Sequence, residues 1–353
     1  MKIGIAGAGI MGRLMAFHLA LAGCKVTLFD KSEMLNSSMA AAGLLTPIAE
    51  LEKSDELIYQ MGLAALSGLW AAILRHLPND IYYRNMGSLL IAHPRDNNEL
   101  SRFVKCLTSK IPDQTALTRL NQADINLLEP DLQKFHDGYY LSNEGQIDNQ
   151  HLMMALEQYL LTQNVQWLKN TTVLHVADRT IQTECHLHRF DLVIDTRGLG
   201  AKTLFKNLRS IRGELVWLHA PDVYITRPVR FLHPRYGLYI VPRPDHVYII
   251  GASEIEVEDY SPISVQTLLE LLTASFSVSS DFKQARVIKS LTQCRPALPH
   301  HRPEIKVDDG LIAVNGLYRH GFLIAPALAL EVMHLINHGK TGSNYPALWQ
   351  QAA

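Results

Sequence analysis

Two stretches of this sequence have residue types and spacings that could do chemistry. The first is GAGIMG, where Gly7, Gly9 and Gly12 follow a short apolar run. Without a Cβ at the first two, the chain can turn tightly and bring bare backbone N–H groups against a pyrophosphate. The third lets a helix pack closely on a strand. Asp30 ends the next β-branched run, KVTLFD, where a carboxylate can accept hydrogen bonds from an adenosine ribose. NAD and FAD both use such a turn, and the turn alone leaves the two open. The second stretch is GLYRHGFLIAPAL, from Gly316 to Leu328. It reads as the start of a buried helix, yet such a helix needs neither a cation nor a glycine at its opening. A metal reading of Cys185, His186 and His188 in TECHLHRF is weaker. Strand alternation explains those residues, and no second pair stands at metal-ligand spacing.

These residues need elements to hold them. Ile3 to Ala6 reads as a strand, Ile10 to about Ala22 as a helix closed by Gly23, and KVTLFD as a second strand. Strand, helix and parallel strand within about 30 residues make a βαβ unit, the start of a doubly wound sheet. SSMAAAGLLTP is a small-residue loop, and Glu50 to about Leu77 has helical spacing. IYYRNMGSLLIAHP looks like strands, and Asn97 to Leu132 like helices and loops. A helix returns after Asp148 in HLMMALEQYLL. VQWLKNTTVLHVAD and FDLVIDTRGLG then read as strands of the first sheet. Ile211 to about Val287 is strand-rich again. The expected division is a nucleotide-binding domain from 1–80, 144–209 and 294–353, and a second domain from 81–143 and 210–293.

Composition narrows the function classes. The 353 residues are 47% hydrophobic and 19% charged, an ordinary globular mixture with length for two cores. A net charge of −1 predicts neither nucleic acid nor an acidic surface as partner. Four scattered cysteines suit a reducing, cytoplasmic setting. The apolar N-terminus runs straight into patterned glycines without a cleavage site, which argues against a targeting segment. No run reaches the ~18 uninterrupted apolar residues of a membrane span.

Four segments, in order along nearly the whole chain, resemble the D-amino-acid oxidase superfamily and, within it, the glycine-oxidase branch. They are SSMAAAGLL, GLYIVPRPDHVYIIGAS, CRPALP and GLYRHGFLIAPA. The resemblance implies FAD as cofactor, a Rossmann-type FAD-binding domain of α/β class, and an α+β substrate domain on a mostly antiparallel sheet. It implies that the nucleotide is held by Gly7, Gly9, Ile10, Met11 and Gly12, and by Asp30 and Lys31. Ser37, Ser38, Ala42, Gly43 and Leu44 would lie along the flavin, with Val176 and Gly198 nearby. Arg295, Gly316, Arg319, His320, Gly321, Phe322 and Leu323 would complete the site. The helix starting near Phe322 would offer free N–H groups to charge developing on the flavin.

On the substrate side the resemblance implies that Arg295 and Tyr239 hold a carboxylate, with Arg319 as third member. An arginine fork suits that task. The reaction implied is hydride transfer from Cα to flavin N5, then imine hydrolysis, with electrons passing to O2 as peroxide. A quinone-type acceptor, a macromolecular amine substrate and a non-catalytic scaffold are the alternatives; a homo-oligomer is allowed. The sequence departs from the branch in three places. Glu254 stands where an apolar residue is common, and either reaches into the pocket toward a substrate ammonium or points to solvent. His320 stands where the family usually has asparagine, and TRGLGAK, with Arg197 and Leu199, replaces the more usual A-x-G-x-W-S.

Overall fold

The computed structural model describes residues 1–31, 36–78, 80–233 and 236–351. Residues 32–35, 79, 234–235 and 352–353 lie outside the description, and with them small parts of the expected segments 1–80, 210–293 and 294–353.

The opening βαβ unit is present as strand Lys2–Ala6, helix Ile10–Leu21 and strand Lys25–Phe29. The two strands pair in parallel, Ile3 opposite Val26 and Ala6 opposite Phe29. They sit inside a seven-stranded sheet. Its order is Trp349–Gln351, Glu304–Asp308, Leu311–Asn315, Leu192–Asp195, Lys2–Ala6, Lys25–Phe29, Gln166–Leu168. Ile3, Ile5, Ile194 and Leu28 are fully buried, as a parallel sheet covered on both faces requires. Helix Gly321–His338 packs on Ile10–Leu21 over this sheet, burying Leu14, Phe322, Ile324 and Leu328. Pro326 inside that helix has no N–H for the Phe322 carbonyl; Trp70 Nε1 donates to that carbonyl instead, at 3.1 Å.

A second sheet has eight strands. They run Arg286–Ala297, Arg209–His219, Val247–Gly251, Tyr236–Arg243, Val229–His233, Ser88–Ala92, Asp137–Leu141, Leu117–Asn121. All neighbours are antiparallel except Val229–His233 with Ser88–Ala92. Its own core gathers Leu89, Val216, Phe231, Leu238, Ile240 and Ile250. A small sheet of Leu44–Leu45, Gly145–Ile147 and Tyr83–Arg84 lies where the chain leaves for the second sheet and where it comes back.

Several expectations need correction. The strand Arg286–Ala297 runs through position 294, so the expected division there falls inside a strand. Leu117–Asn121 is a strand within the stretch read as helices and loops, because its half-exposed residues lack a clear alternation. Helix Val265–Val278 interrupts the stretch read as strands. Val173–Ala177 joins a separate antiparallel sheet with Thr180–Thr183 and Leu187–Arg189, so only Gln166–Leu168 and Leu192–Asp195 extend the first sheet. In that small sheet the His188 ring meets Phe29 edge-on at 4.9 Å, and Cys185 is exposed in the turn before it. Two helical segments, Glu56–Leu74 and Gly321–His338, are long and apolar enough to cross a membrane by length and composition. Here they contribute Ile58, Met61, Trp70, Ile324 and Leu328 to the core around the seven-stranded sheet.

Candidate active site

A cavity of about 1350 Å³ runs between the two sheets, larger than the ~300–1,000 Å³ of a common small-ligand pocket. One end is lined by Gly7, Ala8, Gly9, Asp30 and Lys31, the other by Arg295, Tyr239, Glu254 and Arg319. Two helix starts open onto it, at Ile10 and at Gly321; neither N-cap residue supplies a side-chain cap, and at the first, among the described residues, only the Ile10 N–H is taken, by Ser38. Uncapped N–H groups and the positive end of the helix dipole suit anionic groups at both places.

The glycine turn is built as its spacing requires. Gly7 has φ +100°, and a Cβ there would lie 2.8 Å from the Thr196 carbonyl oxygen. A Cβ at Gly12 would lie 1.9 Å from the Gly7 carbonyl oxygen. Ser38 Oγ accepts from Ile10 N–H at 3.0 Å, and the Ser37 hydroxyl donates to the Cys294 carbonyl at 2.8 Å. Gly43, at φ +62°, lies against the Ile147 carbonyl. Buried Arg243 locks that loop, donating to Ala42 O at 2.6 Å, to Ile147 O at 3.0 Å and to Gln146 Oε1 at 2.9 Å. Arg197 also faces the cavity, its guanidinium fastened to fully buried Asp195 at 2.7 Å.

Of the residues expected at the nucleotide, Gly12, Gly316 and Val176 do not line the cavity. Gly12 and Gly316 work from behind the wall, Gly12 against Gly7 and Gly316, at φ +79°, against Leu298. Val176 is buried with Phe29, Ile181, Phe190 and Val193 in a separate small core, and Val173 on the same strand reaches the cavity instead. Ile10, Met11, Ala42, Leu44, Gly198, His320, Phe322 and Leu323 all reach it. A Cβ at Gly321 would meet Ile10 only at 3.6 Å, so the glycine keeps that wall bare without being forced to by protein packing.

At the other end the expected carboxylate holders differ from one another. Arg319 is already paired, 2.6 Å from Glu50 and 3.4 Å from Glu254, although its buried Nη2 has no partner among the described residues. The Tyr239 hydroxyl accepts from Arg230 at 3.0 Å. Arg295 has no acidic partner within salt-bridge distance among the described residues; it donates only to the Ser253 carbonyl, at 3.2 Å. Burial pushes its guanidinium below its ordinary value, the signature of a cation short of counter-charge. Gly213 makes its berth, because a Cβ there would lie 2.1 Å from Arg295 Nη2.

Glu254 lines the cavity but is not free to meet an ammonium. Lys53 lies 2.8 Å from it, Tyr318 donates its hydroxyl to it, and Arg319 adds a third contact. Burial alone would raise this carboxyl; Lys53, Tyr318 and Arg319 outweigh it and bring it down to about 2. Glu50 is buried too, and Arg319, His320 and Arg230 overcome the desolvation that would raise it, leaving it below the usual carboxylate range. His320 is 2% exposed, with Nδ1 3.3 Å from Glu50, and burial brings it down to about 4, so the ring is neutral at pH 7. Behind them Glu144 is fully buried, accepting from Ala49 N–H at 2.6 Å and bonded to the Ser88 hydroxyl. Desolvation pushes it up to about 8.

Sequence reasoning missed Glu50, Glu52, Lys53, Gly213, Arg230 and Arg243. The signal available was slight: three charges in IAELEKS following an apolar run, and single arginines inside the strand patterns PVRFLH and YIVPR.

Comparison with known proteins decides the family. Residues 2–335 match the model of the DAO family, FAD dependent oxidoreductase. The chain belongs to the DAO family. A Rhizobium etli protein that bears the name of a thiamine biosynthesis oxidoreductase, ThiO, is 33% identical over 94% of this chain and 95% of its own length. A glycine oxidase of Geobacillus kaustophilus is 25% identical over 96% of this chain and 93% of its own. Its crystal structure superposes with a TM-score of 0.86 at 22% identity, covering 99% of this chain and 98% of that one. An iminodiacetate oxidase from Chelativorans sp. BNC1 superposes with a TM-score of 0.84 at 20% identity, over 99% of each chain. Membership of the DAO family makes the chain an FAD-dependent oxidoreductase. The residues fit that cofactor: bare glycines and a helix start without an N-cap side chain at one end, and at the other a second such start beside an Arg319 nitrogen that has no partner among the described residues.

Proposed function

We propose that this DAO-family enzyme oxidises a small amino acid or related amine that carries a carboxylate, with glycine, sarcosine and iminodiacetate as the first candidates. The observation that carries the reading is Arg295, a cation facing the cavity with, among the described residues, only a backbone carbonyl as partner and a glycine-made space around it. A substrate carboxylate completes its two-bonded fork. Tyr239 lines the same cavity, and its hydroxyl gives the carboxylate a further hydrogen bond.

Bound FAD supplies the two-electron acceptor for the substrate C–H bond. The chain's own residues orient and exclude. Glu50 and Glu254 are held ionised by their cation partners, so neither takes a proton from the substrate, and neutral His320 faces Glu50 rather than open space. The substrate therefore reacts as its free amine, releasing its ammonium proton to solvent as it binds beside Arg295 and Arg319. The imine formed hydrolyses to an oxo acid and ammonia or an amine. O2 would take the two electrons from the cofactor and leave as hydrogen peroxide, and the names of the oxidases among the relatives support that acceptor.

The test is an anaerobic visible spectrum of the purified yellow protein, titrated with glycine, sarcosine, iminodiacetate and a panel of D- and L-amino acids. Bleaching by one of them, reversed on admitting air with release of peroxide, is the expected outcome. A flavoprotein bleached equally by an amine and its carboxylated counterpart would remove Arg295 from the reading. One bleached but not reversed by air would make it a dehydrogenase.

A further inference from the structure

Arg230 lies on strand Val229–His233 and is the cross-strand partner of Tyr239 on strand Tyr236–Arg243. Its guanidinium is buried, 4.4 Å from the Phe103 ring centre. It donates to the Tyr239 hydroxyl at 3.0 Å, to the Ala49 carbonyl at 3.0 Å and to Glu52 at 2.8 Å. Glu52 in turn accepts from exposed Arg102 at 3.1 Å, so a brace runs from the surface to the pocket wall. A guanidinium has only N–H groups to offer, and a phenol has one hydrogen and an acceptor oxygen. In the Arg230–Tyr239 bond the phenol oxygen must therefore be the acceptor. The phenol hydrogen is left to find another acceptor, and among the described residues none takes it, while Tyr239 faces the cavity.

We propose that Arg230 is a positioning residue for carboxylate recognition: by occupying the Tyr239 oxygen as a donor, it obliges Tyr239 to present its proton to the carboxylate that Arg295 grips. The inference rests on the carboxylate reading of the substrate given above. A cation on the phenol oxygen also polarises the O–H bond and strengthens its donation. Burial raises Tyr239 above its ordinary value, so it remains a proton-bearing phenol at any working pH. The arrangement discriminates by proton direction: an acceptor such as a carboxylate is welcomed, and a donor such as an ammonium at the same place meets a hydrogen head-on.

The experiment is a double-mutant cycle on the FAD-loaded enzyme, with calorimetric titration of acetate, a carboxylate that has no amine to oxidise. Flavin content and Tm report that each variant folds. Arg230→Met is expected to weaken acetate binding about 10-fold with Tyr239 present, and less than about 2-fold when combined with Tyr239→Phe. Turnover should show the loss in KM more than in kcat. A purely structural role would weaken binding equally in both backgrounds, and that additive result overturns the proposal; so does unchanged affinity in Arg230→Met. Should Arg230→Met fail to fold, Arg230→Gln, whose amide oxygen can accept the phenol proton and so frees its direction, enters the same cycle with the same two outcomes. A wild-type enzyme that binds no acetate while an uncarboxylated amine bleaches it brings down the carboxylate reading itself. Acetate binding with an additive cycle brings down Arg230 alone.

Discussion

The nucleotide end of the cavity is made of backbone: bare glycines, the Ile10 helix start and loops tied down by Ser37, Ser38 and Arg243. The substrate end is made of charged side chains brought together from distant parts of the chain. Glu50, Glu52, Lys53, Arg230, Glu254, Arg295 and Arg319 come from five separate stretches of the chain, and among the described residues all but Arg295 are ion-paired with one another. A backbone cradle fails abruptly when a Cβ intrudes. A set of paired charges fails by degrees, because each loss is shared among partners. The difference can be probed from both sides.

The largest effect is expected at the backbone end. In Gly12→Val a Cβ would stand 1.9 Å from the Gly7 carbonyl, so turn and helix must separate. A cost of about 3 kcal/mol or more and loss of FAD on purification are expected, read by flavin absorbance and Tm. Retained flavin would mean that the turn can shift without losing its ligand.

Next is Arg295→Ala. It should keep its flavin yet lose about 100-fold or more in kcat/KM for carboxylated substrates, on the order of 3 kcal/mol. Gly213→Ala should follow it at roughly 10-fold, because its methyl would displace the guanidinium rather than delete it. If Gly213→Ala matched wild type, Arg295 would have room that the glycine does not provide.

Glu144 sharpens the comparison through pH. The folded protein holds its proton up to about 8, whereas the unfolded chain releases it near 4.5. The unfolded state thus binds fewer protons across that window, and wild-type stability falls as pH rises through it. Glu144→Gln mimics the protonated acid and should remove this slope. The Tm difference between variant and wild type should widen by roughly 5 °C between pH 5 and pH 8. Glu50 has the opposite sign: its folded value is depressed, so its contribution is present above the ordinary carboxylate range and lost as pH falls below it. Smallest of all is Lys53→Ala. Its side chain is half in solvent, and kcat/KM should stay within about threefold. A larger loss would make the Lys53–Glu254 pair part of substrate recognition.

The same contrast explains what could be read in advance. Gly7, Gly9, Asp30 and the Ile10–Leu21 helix follow from local spacing, because a tight turn and a βαβ unit are local events. Arg295, Tyr239 and Arg319 were legible only through resemblance, since nothing in CRPAL or GLYIV says what either residue faces. Glu50 meeting Arg319, 269 residues away, and Arg230 meeting Glu52, 178 residues away, are products of the fold. No local pattern encodes them. Val176 was misplaced for a related reason: Val173 and Val176 sit on one short strand, and only tertiary packing decides which of them reaches the cavity.

Strand Arg286–Ala297 ends with Arg295 in register with Ile211 of the substrate-side sheet, and the carbonyl of Cys294, one residue earlier, receives the hydroxyl of Ser37 from the nucleotide loop. The residue proposed to grip the substrate carboxylate is thus stitched, within a single peptide unit, to the loop proposed to cradle the cofactor. The two halves of such a protein are not interchangeable modules. A graft that swaps one substrate sheet for another must carry the seam at Ser37 and Cys294 with it, or the carboxylate grip and the cofactor loop will drift out of alignment together.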